Sequence, residues 1–296
     1  MAELIENVSD TAFWIAYYRG VETRRPDALF KDPLAEELAG EQGKRIAETM
    51  PARFLTEWVV AIRTRVIDEY IREAIAEGID CVLNLGAGLD TRPYRLDLPK
   101  PFLWVEADYS RMIEFKESKL KGEKPRCDLE RVAVDLANSA ERRKFFADIE
   151  RRGKKVLVLT EGVVVYMTVE KAGSLADDLR AMRCVRYWVL DYLSAEAMKF
   201  RTKSEISKRT KNAPFLFNPA DWFGFFRERG WQVKEMRYFS EEGERLKRRP
   251  RIPLVMLVAI LIRRIVSSRE RREKLKKMAG YAMLEHAREV GGQSTI

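Results

Sequence analysis

The chain predicts an α/β fold, a doubly wound, mostly parallel, seven-stranded sheet with helices on both faces. Three observations carry this. Short apolar runs ending in glycine or acid recur from residue 80 onward, as buried parallel strands do. Helical stretches lie between those runs. The first run ends in Leu85-Gly86-Ala87-Gly88, a turn that lets a ligand approach the backbone closely.

Residues 10–20 read as a short helix with Ser9 or Asp10 at its N-cap. Residues 24–33 form a loop with proline stops at Pro26 and Pro33. From Arg53 to Glu77 a long amphipathic helix is expected. Phe54, Trp58, Ile62, Val66, Tyr70 and Ala74 recur every fourth residue, and Val59, Ile67 and Ile71 widen that stripe.

The period then changes. Strands are expected at 80–85, 102–108, 131–136, 155–161 and 187–191, with helices at 111–121, 139–151 and 169–182. Residues 195–208 read as a polar helix. Asn218-Pro219 reads as the start of another, capped by Asn with Pro in first position and stopped by Gly230. Residues 231–239 fit a sixth strand, 268–278 a charged helix and 281–286 a last strand. The expected organisation is one domain: a helical cover (1–78), a core sheet (79–240), a helical insertion (241–279), and a last strand and tail (280–296).

Composition narrows the class. A chain of 296 residues, 46% hydrophobic, can bury one full core. Cys81, Cys127 and Cys184 lie far apart and His286 is the only histidine, so neither a disulfide framework nor a metal site is expected. The N-terminus lacks the basic and apolar regions of a signal peptide, and a cytoplasmic protein is expected. The net charge of +9 concentrates in Lys247–Arg251, Arg263–Arg264 and Arg269–Lys277. The apolar run in 253–266 is too short to span a bilayer, which takes about 20 residues. It reads first as a cap over a substrate pocket, then as a membrane-surface helix, with a dimer contact also open.

Acids mark the strand ends. Glu106 and Asp108 end the second strand, Asp135 with Leu136 the third, and Glu161 the fourth. Open α/β sheets bind ligands at those ends, and an acid about 20 residues past the glycine turn suits the ribose of an adenosine. A dinucleotide fingerprint would need a third glycine where Thr91 stands, which disfavours a dehydrogenase.

The segment from Asn84 to Leu96, Asn-Leu-Gly-Ala-Gly-Leu-Asp-Thr-Arg-Pro-Tyr-Arg-Leu, resembles the signature of the leucine carboxyl methyltransferase-like family, which includes polyketide O-methyltransferases. The likeness extends to Ala28–Ala35, to Arg63-Thr64-Arg65 and to Glu106-Ala107-Asp108 with Glu114-Phe115-Lys116. It continues through Val134-Asp135-Leu136, Glu161-Gly162 with Tyr166, and Ala220-Asp221-Trp222 through Trp231. It covers roughly residues 10–240.

The resemblance implies a Rossmann-like class I methyltransferase that uses S-adenosylmethionine and needs no metal. Arg63 would pair with the methionine carboxylate, with Arg65 as a competing candidate. Gly86, in a turn shared with Gly88 and Asp90, would contact the methionine moiety. Asp108 would hold the ribose, and Asp135 and Leu136 would flank the adenine. Glu161 would lie near the sulfonium, with Tyr166 toward the substrate; these two are the catalytic candidates. The acceptor is expected to be a carboxylate or a phenolic or enolic oxygen of a small apolar or polyketide-like molecule. The sequence offers no obvious base: His286 reads as structural, leaving Glu161, Tyr166 and Asp191. Two alternatives stay open. One is an RNA- or protein-directed enzyme, which lacks a recognisable RNA-binding module here. The other is a non-catalytic S-adenosylmethionine-binding protein at a membrane.

Overall fold

A computed structural model describes residues 4–252 and 268–287. Seven strands form one sheet in the order β3-β2-β1-β4-β5-β7-β6. They are β1 (Cys81–Leu85), β2 (Leu103–Asp108), β3 (Asp128–Ala133), β4 (Val156–Thr160), β5 (Val185–Leu193), β6 (Trp231–Tyr238) and β7 (Ala279–His286). The first five pair in parallel, and β7 runs antiparallel between β5 and β6. The order reverses between β1 and β4, which opens a crevice at the strands' C-terminal ends.

The central strands are largely apolar because both faces are covered. Successive side chains point to opposite faces. Leu83, Leu85, Val158, Trp188 and Leu190 face one way, onto α6 (Ser139–Arg151) and α7 (Val169–Ala181) through Phe145, Ile149, Leu175 and Leu179. Val82, Trp104, Leu157 and Val189 face the other way, onto α3 (Arg53–Ala76) through Ile62, Val66, Tyr70 and Ala74. Each fully buried large apolar side chain of that stripe stabilises the packing by about 1.5–3 kcal/mol. A third cluster joins α1 (Asp10–Thr23) and α2 (Pro33–Thr49) through Phe13, Trp14, Leu38 and Ile46 and covers the crevice end through Leu89 and Met112.

Local chemistry sets several helix starts. Asn138 Oδ1 accepts from the backbone N–H of Ala140 and Glu141 at the start of α6, and Thr168 Oγ1 accepts from Lys171 at the start of α7. At α1 neither expected cap does this. The Ser9 side chain makes no capping bond, and the Asp10 carboxylate reaches back to the N–H groups of Glu6 and Asn7.

Other boundaries differ from the sequence expectation. The third strand lies three positions earlier, because its register with β2 pairs Leu103 with Asp128 and Asp108 with Ala133. The expected 195–208 helix is two: α8 (Ala195–Thr202) and α9 (Glu205–Arg209), with Ser204 capping the second. Asn218-Pro219 does not start a helix. Leu216 and Phe217 donate to the Val165 carbonyl, Phe217 is buried against Phe225 and Phe226, and α10 begins at Trp222 (Trp222–Arg227). Pro219 also biases Asn218 away from helical backbone. Beyond β6 come α11 (Phe239–Arg245) and α12 (Arg269–Lys276). The apolar 253–266 segment lies outside the described residues. Among the described residues no helix is long and apolar enough to cross a membrane, and no group of His, Cys, Asp and Glu could hold a metal ion.

Candidate active site

A cavity of about 1560 Å³ opens at the C-terminal ends of the parallel strands. A single small-molecule site typically occupies about 300–1,000 Å³, so there is room for two ligands side by side. Its wall includes Arg63, Gly86, Gly88, Asp90, Asp108, Leu136, Glu161 and Tyr166. The sheet thus brings together eight of the nine residues singled out from sequence. The ninth, Asp135, is not on the described wall. Its carboxylate accepts from the Ala137 N–H and shapes the turn that presents Leu136.

The glycine turn is held open by backbone geometry. Gly86 and Gly88 have φ of +66° and +48°, in the left-handed region that favours glycine. A Cβ on Gly86 would come 2.5 Å from Val163 Cγ2. The turn is braced from below. Arg19 Nη2 donates to the Leu89 carbonyl at 2.5 Å while its Nε pairs with Asp32, and Thr91 Oγ1 donates to the same Asp32.

Asp108, nearly buried at the end of β2, accepts from the Gly88 N–H and the Tyr109 N–H, each at 2.7 Å. Burial raises its pKa and these two bonds pull it back. Glu106, two residues earlier on the same face of β2, is fully buried against Lys116 and Arg131 at 2.7 and 2.9 Å. Position along the strand therefore separates the two acids: Asp108, the last residue of β2, reaches the glycine turn, while Glu106 lies further back under Lys116 and Arg131.

Arg63 and Glu161 face each other in the wall, Nη2 to Oε1 at 2.8 Å. The contact is an ion pair without hydrogen-bond alignment: Arg63 Nε lacks an acceptor and Glu161 Oε1 lacks a donor. Arg65, the competing arginine, turns away and pairs with Glu69. Behind Glu161, Arg92 donates through Nη1 to Glu161 Oε2 (2.7 Å) and Asp90 Oδ2 (2.8 Å), and through Nε to Asp68 (2.7 Å). Arg95 also grips Asp68. These arginines hold Asp68, Asp90 and Glu161 below the ordinary carboxylate range despite the opposing effect of burial.

Asp191, on β5, accepts from the Gly162 N–H at 2.9 Å and the Tyr281 hydroxyl at 2.6 Å; burial raises its pKa. Tyr166 packs edge-on against Phe215, and burial raises its phenol too. His286 stands on β7 against Trp231 and beside Arg180, outside the described cavity wall.

Sequence reasoning missed Arg19, Arg92, Arg201 and Tyr281. Arg92 sits inside the glycine-turn motif and that position was its signal. Tyr281 and Arg201 carry no local signal, since each reaches the cavity only through packing of distant segments.

Comparison with known proteins agrees with this architecture. A family model described as leucine carboxyl methyltransferase matches residues 12–180. A Mycolicibacterium smegmatis protein, provisionally named an S-adenosyl-L-methionine-dependent methyltransferase, is 30% identical over 262 residues, covering 78% of this chain and 85% of its own. A similarly named Streptomyces avermitilis protein is 38% identical over 136 residues, covering 43% of this chain and 48% of its own. Among solved structures, a duf574 family protein from Streptomyces avermitilis gives a TM-score of 0.52 at 15% identity, covering 94% of this chain and 97% of its own. A Thermobifida fusca protein, provisionally named a methyltransferase, gives 0.53 at 12%, covering 92% and 94%. At such identities the two structures speak for the fold alone.

Proposed function

The chain belongs to the leucine carboxyl methyltransferase family of S-adenosylmethionine-dependent methyltransferases, and from that premise we propose that it methylates an already acidic oxygen, a carboxylate or acidic phenol, of a small apolar molecule. The observation that carries this reading is that none of the three candidate bases, Glu161, Tyr166 and Asp191, is a free proton acceptor. Glu161 is held ionised between two arginines and is a weak base. Both Asp191 oxygens are engaged, and the raised phenols of Tyr166 and Tyr281 keep their protons. A neutral alcohol would need a general base, typically worth about 10²–10⁴-fold. An acceptor that arrives ionised needs none.

The wall fits the cofactor. The methionine end of S-adenosylmethionine carries one carboxylate and one ammonium, and the Arg63–Glu161 pair offers an unsatisfied buried donor, Arg63 Nε, beside an unsatisfied buried acceptor, Glu161 Oε1. An arginine fork suits a carboxylate. Asp108, fixed by two backbone N–H groups, would accept from the ribose hydroxyls. Val134 and Leu136 offer an apolar wall for the adenine, with Asp135 supporting their turn. Gly86 and Gly88 would let the ligand lie against the backbone. When bound, the cofactor supplies an electrophilic methyl group on a sulfonium. The chain's own contribution is positioning and exclusion of water, the main levers for an in-line displacement.

The test is calorimetric titration with S-adenosylhomocysteine followed by an acceptor screen. Binding, with methyl transfer to acids and a flat rate profile between about pH 6 and 9, supports the proposal. Transfer only to neutral alcohols or amines would overturn the acidic-oxygen reading, and no binding by the folded protein would overturn the whole.

A further inference from the structure

A half-buried arginine of the cavity wall has no counterion among the described residues. Arg201, near the end of α8, lines the cavity with its guanidinium 4.7 Å from the centre of the Phe215 ring. Nη2 donates weakly to Thr210 Oγ1 at 3.2 Å, and Nη1 is buried with no hydrogen-bond partner. Arg19 and Arg63, in the same wall, each pair with a carboxylate at 2.8 Å. No described residue supplies Arg201 with one. Burial accordingly lowers its pKa, opposed only by the neighbouring Tyr166. An arginine stays protonated all the same, and a buried charge without a partner is costly. An anion from outside the chain resolves that cost.

The rim shows what the anion is attached to. Among the described residues seven large hydrophobics are exposed, and five of them, Val8, Leu55, Tyr109, Phe200 and Leu275, line this cavity. Phe200, beside Arg201 in the chain, is 69% exposed. Exposed apolar side chains gathered at one mouth mark a binding surface. Resting on the methyl-transfer reading above, we propose that the acceptor is an amphiphilic monocarboxylic acid. Its carboxylate docks on Arg201, and its hydrocarbon or aromatic body lies against Leu55, Phe200 and Leu275. Phe215 meets both the guanidinium and, edge-on, the Tyr166 ring.

The test is calorimetry on the full chain with dodecanoate below its micelle concentration, dodecanamide, and a short peptide ending in a free carboxylate. S-adenosylhomocysteine is titrated separately. Wild type should prefer dodecanoate to the amide by about tenfold or more, the scale of a charge-assisted bond. R201M should abolish that preference, leave S-adenosylhomocysteine affinity unchanged and melt no lower, since it removes an unpaired buried charge. R201K should recover part of the preference, which covers the case of R201M failing to fold. Equal binding of acid and amide by wild type, an undiminished preference in R201M, or a preference for the peptide would each overturn the proposal. Loss of S-adenosylhomocysteine binding with acid selectivity intact would instead count against the methyltransferase reading and leave the Arg201 site standing.

Discussion

Arg63 Nη2 stands 2.8 Å from Glu161 Oε1, joining the helix before the first strand to the turn after the fourth. The pair is close but poorly aligned, and each partner keeps an unsatisfied buried atom. We expect Arg63→Ala to weaken S-adenosylhomocysteine binding by about 10- to 100-fold, the scale of one charge-assisted contact. Arg65→Ala, two positions on, should change it by less than about twofold, because Arg65 pairs with Glu69 and is not part of the described cavity wall. Calorimetry on both variants decides which arginine the cofactor uses.

Asp108 gives the binding a pH dependence. Burial raises its folded-state pKa above the unfolded value. Ionised Asp108 therefore lowers stability at neutral pH, and that cost is relieved as pH falls through the raised pKa. Ligand binding has the opposite sign, since ribose hydroxyls donate to the ionised carboxylate. S-adenosylhomocysteine affinity should fall on acidification, starting above the usual carboxylate range, and Asp108→Asn should both weaken binding and remove that limb. Titrations from neutral pH downward read it directly.

Arg92 holds three carboxylates from a position 2% exposed. Arg92→Leu should cost about 3–5 kcal/mol, as expected when one partner of a buried ionic cluster is removed. The pKa values of Asp68, Asp90 and Glu161 are depressed in the wild type, so their stabilisation is present above the unfolded carboxylate pKa and lost as pH falls through the folded ones. The variant should lose that acid-side dependence. Urea melts at a series of pH values would show both effects.

Two glycines of nearly equal φ separate backbone strain from steric clash. Gly153 has φ +64° and nothing within 4 Å of an added Cβ, so Gly153→Ala should cost about 1–2 kcal/mol. Gly86, at φ +66°, would also press a Cβ to 2.5 Å from Val163. Gly86→Ala should cost more and weaken cofactor binding as well. Equal melting temperatures for the two variants would show that Val163 yields freely.

What the sequence determined by itself is local. Strand periodicity placed six of the seven strands closely, and the glycine turn, Asp108 and Glu161 were legible because each lies at or just past a strand end. The pattern for β3 misled, because its register is set by pairing with β2 rather than by its own hydrophobicity. Glu106 and Asp108 looked alike until packing placed one under Lys116 and Arg131 and the other, at the strand end, in the cavity. Arg63 and Arg65 were likewise distinguished only by the direction each takes from α3. Tertiary structure alone decided that Tyr281 reaches Asp191 across the β5–β7 pair and that Arg201 meets the cavity without a counterion. The physical reason is that a charge's role depends on which partners come within about 4 Å, and those partners are set by packing between segments far apart in the chain.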